Sequence, residues 1–339
     1  MNIFRPLRNG AMIVACVLLV AGCKPKQPQP APQPAAIDYT QVAVPAFDAD
    51  SAFGFVAAQI AFGHRHPGTK GHERCAAYLA ETMRRWCDTV IVQPFETTLW
   101  DGQKVSGKNI IASLAPQRER RVLLAAHWDS RQWADHDPDT NNWRRPLLGA
   151  NDGASGVGLL MEMARVMSQM PPEVGVDFVF FDIEDQGIAE WAGRYEDNTW
   201  CKGSQHWAQH PHRLFYSAEY GILYDMVGTS EPRFTKEEIS MSFAQGTTNK
   251  LWNCAAALGY GNVFVNELSG AILDDHLYVN QLLHIPTVDI VQNSRDCTFY
   301  RHWHTVGDNL EAVDKNTLAL VANVSLKMIY GDYPHTATE

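Results

Sequence analysis

Four short apolar runs rich in Val, Ile, Leu and aromatic residues recur along this chain: "RVLLAA" (121–126), "VDFVFFD" (176–182), "YGILYDMVG" (220–228) and "IPTVDIVQ" (285–292). They lack strict polar/apolar alternation, so each suits a strand buried on both faces, as in a parallel sheet covered by helices. Helical periodicity fills the intervals. Ala76, Leu79, Met83 and Trp86 share one face of a predicted helix, and Leu159, Leu160, Met163 and Met167 share another. A last amphipathic helix is predicted from Asp314 to Tyr330. This alternation predicts an α/β fold with a twisted, mostly parallel central sheet and helices on both faces. Ligands of such sheets collect beyond the carboxyl ends of the strands, so the polar residues that follow the apolar runs are the ones to weigh for chemistry.

Those residues are His127-Trp128-Asp129-Ser130 after the first run, Asn151-Asp152-Gly153 ahead of a helix, and Asp182-Ile183-Glu184-Asp185 after the second run. Asp225 sits inside the third run, and His304 follows the fourth. Singly, most have ordinary explanations. Asp152 would serve as a helix cap, and Glu184 with Asp185 as a solvated pair. Asp225 is harder to dismiss, because an unpaired carboxylate on an apolar strand is costly. Together they supply the nitrogen and oxygen donors that Zn²⁺ prefers, and a catalytic zinc keeps three protein ligands and one open position. Asp152, Asp185 and His304 meet that requirement and leave Glu184 free as a general base beside the metal.

The series "AAHWDSR", "GANDGASGVGLLMEMAR", "FFDIEDQG", "YDMVG", "LDDH" and "RHWHT" resembles the zinc-dependent aminopeptidase-like superfamily and, within it, the glutaminyl cyclases, over nearly all of residues 46–330. The resemblance implies conversion of the N-terminal glutamine of peptides and proteins into pyroglutamate with release of ammonia, using one Zn²⁺ per chain held by Asp152, Asp185 and His304. It further implies that Glu184 shuttles a proton from the attacking amine to the departing ammonia, with Asp225 and Asp274 as its hydrogen-bonding partners. Trp303 would line the substrate pocket, with Trp191 as a second wall.

The two-zinc aminopeptidases of the superfamily hold a second metal at the positions of His127 and Asp225, with Asp152 bridging. All five residues are present here, so the ligand inventory leaves both branches open. Local context favours the cyclases: Trp303-His304-Thr305 around the last ligand, Asp274-Asp275-His276 where peptidases often have Ser-Asp-His, and the long insert between His127 and Asp152. Asp185 departs from many cyclases, which carry Glu there. The alternatives are a two-zinc metalloaminopeptidase and a non-catalytic binding lipoprotein, the latter at odds with the presence of Glu184 and all three ligands.

The amino terminus carries a separate message. Arg5 and Arg8 precede a short apolar stretch and Val20-Ala21-Gly22-Cys23. That stretch falls below the ~20 residues a membrane-spanning helix needs, and positive flank plus short apolar core describes a secretory signal. Residues 1–23 therefore read as a lipoprotein signal peptide with lipobox Cys23. The Pro/Gln-rich residues 24–45 read as an extended spacer, and 46–339 as a single catalytic domain. The expected location is exported, with a lipid on Cys23 anchoring the chain to a bacterial membrane, facing the periplasm or the cell surface.

A net charge of -10 argues against a nucleic-acid partner, which would be held through clustered Lys and Arg. Beyond the leader, Cys75, Cys87, Cys201, Cys254 and Cys297 form no CxxC pair that would suggest a thiolate metal site. Cys75 and Cys87 are expected on one helix, about 18 Å apart at 1.5 Å per residue, too far to bridge.

Overall fold

The computed structural model describes residues 37–336; the signal peptide, Cys23 and most of the Pro/Gln-rich segment lie outside the described residues. In chain order the main elements are α1 (Ala49–Ala61), α2 (Lys70–Met83), β1 (Thr89–Thr98), β2 (Lys104–Leu114), β3 (Arg121–His127), α3 (Ala154–Gln169), β4 (Gly175–Phe181) and α4 (Lys202–Gln209). Then follow β5 (Tyr220–Asp225), β6 (Phe234–Lys236), α5 (Glu238–Phe243), α6 (Gln245–Ala257), β7 (Phe264–Leu268), α7 (Asp275–Tyr278), β8 (Thr287–Val291) and α8 (Lys315–Asp332).

Six strands form one sheet in the order β1-β2-β4-β3-β5-β8. The four apolar runs are its parallel strands β4, β3, β5 and β8, and every residue in them is buried. Their side chains alternate between two covered faces, as the pleat requires. Val122, Leu124 and Ala126 join the core with residues of α1, α2, α3 and α8, while Leu123 and Ala125 pack with Trp207 and Ala208 of α4. Helices on both faces, as the sequence predicts, account for the continuous hydrophobicity of these strands.

The chain passes to one side of β3 to make β4 and then to the other side to make β5. This reversal of order opens a crevice at the carboxyl end of β3, the usual ligand position of an open α/β sheet.

The antiparallel ribbon β1/β2 extends the sheet at one edge. Thr89-Val90-Ile91-Val92 is a β-branched run that favours extension, and Asp101-Gly102 turns the hairpin with Gly102 at φ 87°. The same run explains a difference from expectation. α2 ends at Met83, and Trp86 and Cys87 follow in a turn closed by the Trp86 and Cys87 amides donating to the Met83 carbonyl. Cys75 and Cys87 therefore do not share a helix, and Trp86 meets Phe55 edge-on at 5.5 Å. All five described cysteines are free thiols. Among the described residues no helix is long and apolar enough to cross a membrane.

Candidate active site

The carboxyl ends of the parallel strands deliver the side chains of the site. His127 ends β3, Asp225 ends β5, Glu184 and Asp185 follow β4, and His304 comes from the segment after β8. Asp152 lies in the turn that enters α3, and Asp274 caps α7, accepting from the Asp275 amide at 2.5 Å.

Close backbone approach makes this convergence possible. A Cβ on Gly153 would lie 2.8 Å from the His127 ring, and one on Gly156 would lie 2.2 Å from the Tyr224 carbonyl oxygen. Only glycine lets the start of α3 press against β3 and β5 closely enough to bring Asp152 beside both His127 and Asp225. Ile183, Met226 and His304 adopt left-handed backbones at φ 55°, 50° and 52°. Such strain in non-glycine residues collects in functional loops, where the surrounding structure holds it in place.

Two carboxylates brace the loops from behind. Asp129 accepts from the Glu184 amide at 3.1 Å, the Asp185 amide at 3.2 Å and the Gln186 side chain at 2.9 Å. Asp308 accepts from the Asn151 and Asp152 amides at 2.8 and 3.1 Å. The sequence places Asp129 among the polar residues after β3 without a role, and gives no sign of Asp308.

Two donor triads result, and Asp152 belongs to both. Asp152, Asp185 and His304 offer atoms within 4.8 Å of one another, and so do His127, Asp152 and Asp225. His304 Nε2 is 3.0 Å from Asp185 Oδ1 and 3.8 Å from Asp152 Oδ2. His127 Nε2 is 3.0 Å from Asp152 Oδ1 and 3.4 Å from Asp225 Oδ1. A third cluster joins Glu184, Cys201 and Asp274, with the Cys201 thiol donating to Glu184 Oε1 at 3.3 Å.

These residues fit a divalent metal. His127 Nε2, Asp152 Oδ2 and Asp225 Oδ1 are buried and, although they crowd one another, form no hydrogen bond of good geometry, a costly state unless a cation completes them. Burial drives the Glu184 and Asp185 carboxyls well above the usual carboxylate range, and neighbouring carboxylates add to it. Asp225 is pushed up to about 7, chiefly by burial. Burial, with Arg131 and two histidines nearby, holds His304 well below its ordinary value, so its imidazole is neutral and its lone pair is available to a metal. Oxygen and imidazole donors with no thiolate in either triad suit zinc.

Above the Asp152–Asp185–His304 triad lies a pocket of about 230 Å³, into which Glu184, Asp225 and Asp274 also face. Its apolar wall includes Trp303, Phe299, Ile272 and Trp200. Trp303 stacks on the His304 ring at 3.9 Å, and the Trp200 ring lies parallel to that imidazole at 6.0 Å.

The family model of Peptidase family M28 matches residues 109–329, which include every strand and loop just described from β3 onward. The chain belongs to peptidase family M28. Similar solved structures include both an exopeptidase and a cyclase. A Zn-dependent exopeptidase from Parabacteroides distasonis is 46% identical with a TM-score of 0.83, covering 85% of this chain and 99% of that one. Bacteroides thetaiotaomicron glutaminyl cyclase, solved bound to N-acetylhistamine, is 44% identical with a TM-score of 0.83 over the same shares, 85% and 99%. Bovine glutaminyl-peptide cyclotransferase is 24% identical over 302 residues, 80% of this chain and 79% of that protein. The M28 chain therefore has a zinc aminopeptidase-like fold, an enzyme's family and side chains placed to hold a metal.

Within this M28 site the structure brings together Asp152, Glu184, Asp185, Asp225, Asp274, Trp303 and His304. Trp191, expected as a second wall, does not line the pocket. It is held outside by Trp133, edge-on at 5.7 Å, and by the Arg144 guanidinium 3.8 Å over its ring. Trp200 takes the wall position instead, a residue that sequence spacing gave no reason to choose over Trp191.

Proposed function

We propose that this M28 chain is a glutaminyl-peptide cyclotransferase that converts N-terminal glutamine into pyroglutamate and releases ammonia. The observation that carries this reading is the Trp303–His304 stack on the wall of a small pocket over the Asp152–Asp185–His304 triad. Flat aromatic faces and limited volume suit one side-chain amide folded back toward its own α-amine, a geometry that makes the attack intramolecular. The 44% identity to the Bacteroides cyclase supports the same reading.

Zinc held by Asp152, Asp185 and His304 would supply Lewis acidity toward the side-chain carbonyl oxygen. The chain's own residues do the rest. Glu184 accepts a proton from the α-amine as its nitrogen attacks the amide carbon, and returns a proton to the departing nitrogen, which leaves as ammonia. Cys201 and Asp274, grouped with Glu184, and nearby Asp225 keep the shuttle within a connected set of polar groups. Trp303 orients the glutamine side chain and excludes water, which would otherwise compete as nucleophile.

The His127–Asp152–Asp225 triad favours a second reading, a two-zinc aminopeptidase in which His127 and Asp225 would hold a second zinc and Asp152 would serve both sites. Metal titration separates the two. Protein stripped of metal and reloaded should reach full ammonia release from a Gln-initiated peptide at one zinc per chain. A requirement for a second equivalent would contradict the one-zinc mechanism. The amino-terminal reading extends the proposal to an exported enzyme, lipid-anchored through Cys23, that meets its peptide substrates outside the cytoplasm.

A further inference from the structure

A second cavity adjoins the pocket over the triad. It measures about 500 Å³ and shares the side chains of Tyr195, Trp200 and Trp303 with the smaller pocket. A peptide whose first side chain fills the smaller pocket leaves it past these rings. With an advance of up to ~3.6 Å per residue, a cavity that shares three side chains with the first is open to the next side chain.

The charged groups lining that cavity are not equivalent. Arg131 is buried and paired with both oxygens of Asp135, at 2.7 and 2.6 Å. Arg194 is bound to Glu196 at 2.7 Å. Glu190 has no Arg or Lys partner: its one ion-pair contact is His136, whose Nε2 lies 3.8 Å away, too far for a hydrogen bond and charged only when the imidazole is protonated. The Glu190 main chain is fixed, its amide donating to Asp135 Oδ2 at 3.0 Å, while its carboxylate is 60% exposed. A largely exposed carboxylate whose one ion-pair partner is this loosely placed histidine, in a cavity also lined by Tyr195, Trp200 and Trp303, matches a side chain with an apolar stem and a cationic head.

We propose that this cavity receives the second residue of the peptide substrate and that Glu190 selects Lys or Arg there. The assignment rests on the cyclase reading of the adjoining pocket. The stem of the Lys or Arg side chain lies along the aromatic rings, and its head pairs with Glu190 in a charge-assisted hydrogen bond.

The test compares kcat/KM for the amidated peptides Gln-Lys-Ala-Ala, Gln-Ala-Ala-Ala and Gln-Glu-Ala-Ala in the wild type, Glu190→Gln and Glu190→Lys. The ratio between peptides within each protein is the readout, so a general loss of activity cancels. The wild type should prefer Lys over Ala and Ala over Glu. Glu190→Gln should shrink the Lys-over-Ala preference about threefold to fivefold, the scale of an exposed charge pair, and Glu190→Lys should reverse the order of Lys and Glu. Added salt should weaken the wild-type preference. Equal ratios in all three proteins would overturn the subsite while leaving cyclisation intact. Shortening of the peptides in place of cyclisation would remove the cyclase reading and the subsite with it.

Discussion

Glu184→Gln should lower kcat for cyclisation by about 10²–10⁴-fold, the usual contribution of a positioned acid–base group, while zinc content stays unchanged. Glutamine preserves the size of the side chain and can hydrogen-bond, but it cannot accept and return a proton. The prediction is sharp because the Glu184 backbone is held independently of its side chain. Its amide donates to Asp129 and its carbonyl accepts from the Cys201 amide at 2.9 Å. Removing the carboxylate charge therefore leaves the loop braced and the Asp152–Asp185–His304 triad assembled. Rates of ammonia release at saturating Gln peptide, together with metal analysis of the same samples, make the measurement. Full turnover in this variant would remove Glu184 from the shuttle.

The second large effect is on metal. His304→Ala removes the imidazole that lies 3.0 Å from Asp185 and 3.8 Å from Asp152, so that triad loses its one nitrogen donor. After dialysis against a weak chelator the variant should retain little zinc and show no measurable turnover. Asp225→Asn should keep its zinc, because Asp225 is outside that triad. The pair of variants is informative because the two triads share Asp152. Loss of half of a two-zinc complement in Asp225→Asn would show a metal at His127 and Asp225, and would count against a single-zinc cyclase. A folded His304→Ala protein that still held full zinc would contradict the ligand assignment.

The central parallel strands were readable because burial on both faces leaves a continuous apolar signal, and the carboxyl-end rule turned that signal into site positions. His127, Glu184, Asp185, Asp225 and His304 all follow or end such strands, so their convergence follows from topology, while Asp152 is brought in by the glycine-rich entry to α3. What escaped depends on contacts that no local pattern encodes. Asp129 and Asp308 act through backbone amides 55 to 157 residues away in the chain. Trp191 and Trp200 are both tryptophans on the same loop. The difference lies with Arg144 and Trp133, which arrive from the insert before α3 and pack on the half-buried Trp191 away from the pocket. The end of α2 was missed because the helical face continued in sequence to Trp86, while the β-branched residues beginning at Thr89 drew the chain into β1.

The most direct test of the central claim is mass spectrometry of peptides beginning with Gln, Leu or Ala after incubation with the zinc-loaded domain lacking residues 1–23. The one-zinc cyclase predicts that only the Gln peptide changes, by loss of a single ammonia with every residue retained. Peptides shortened by their first residue, with Leu and Ala substrates consumed alongside Gln, would contradict it and assign the site to an aminopeptidase with a second metal at His127 and Asp225.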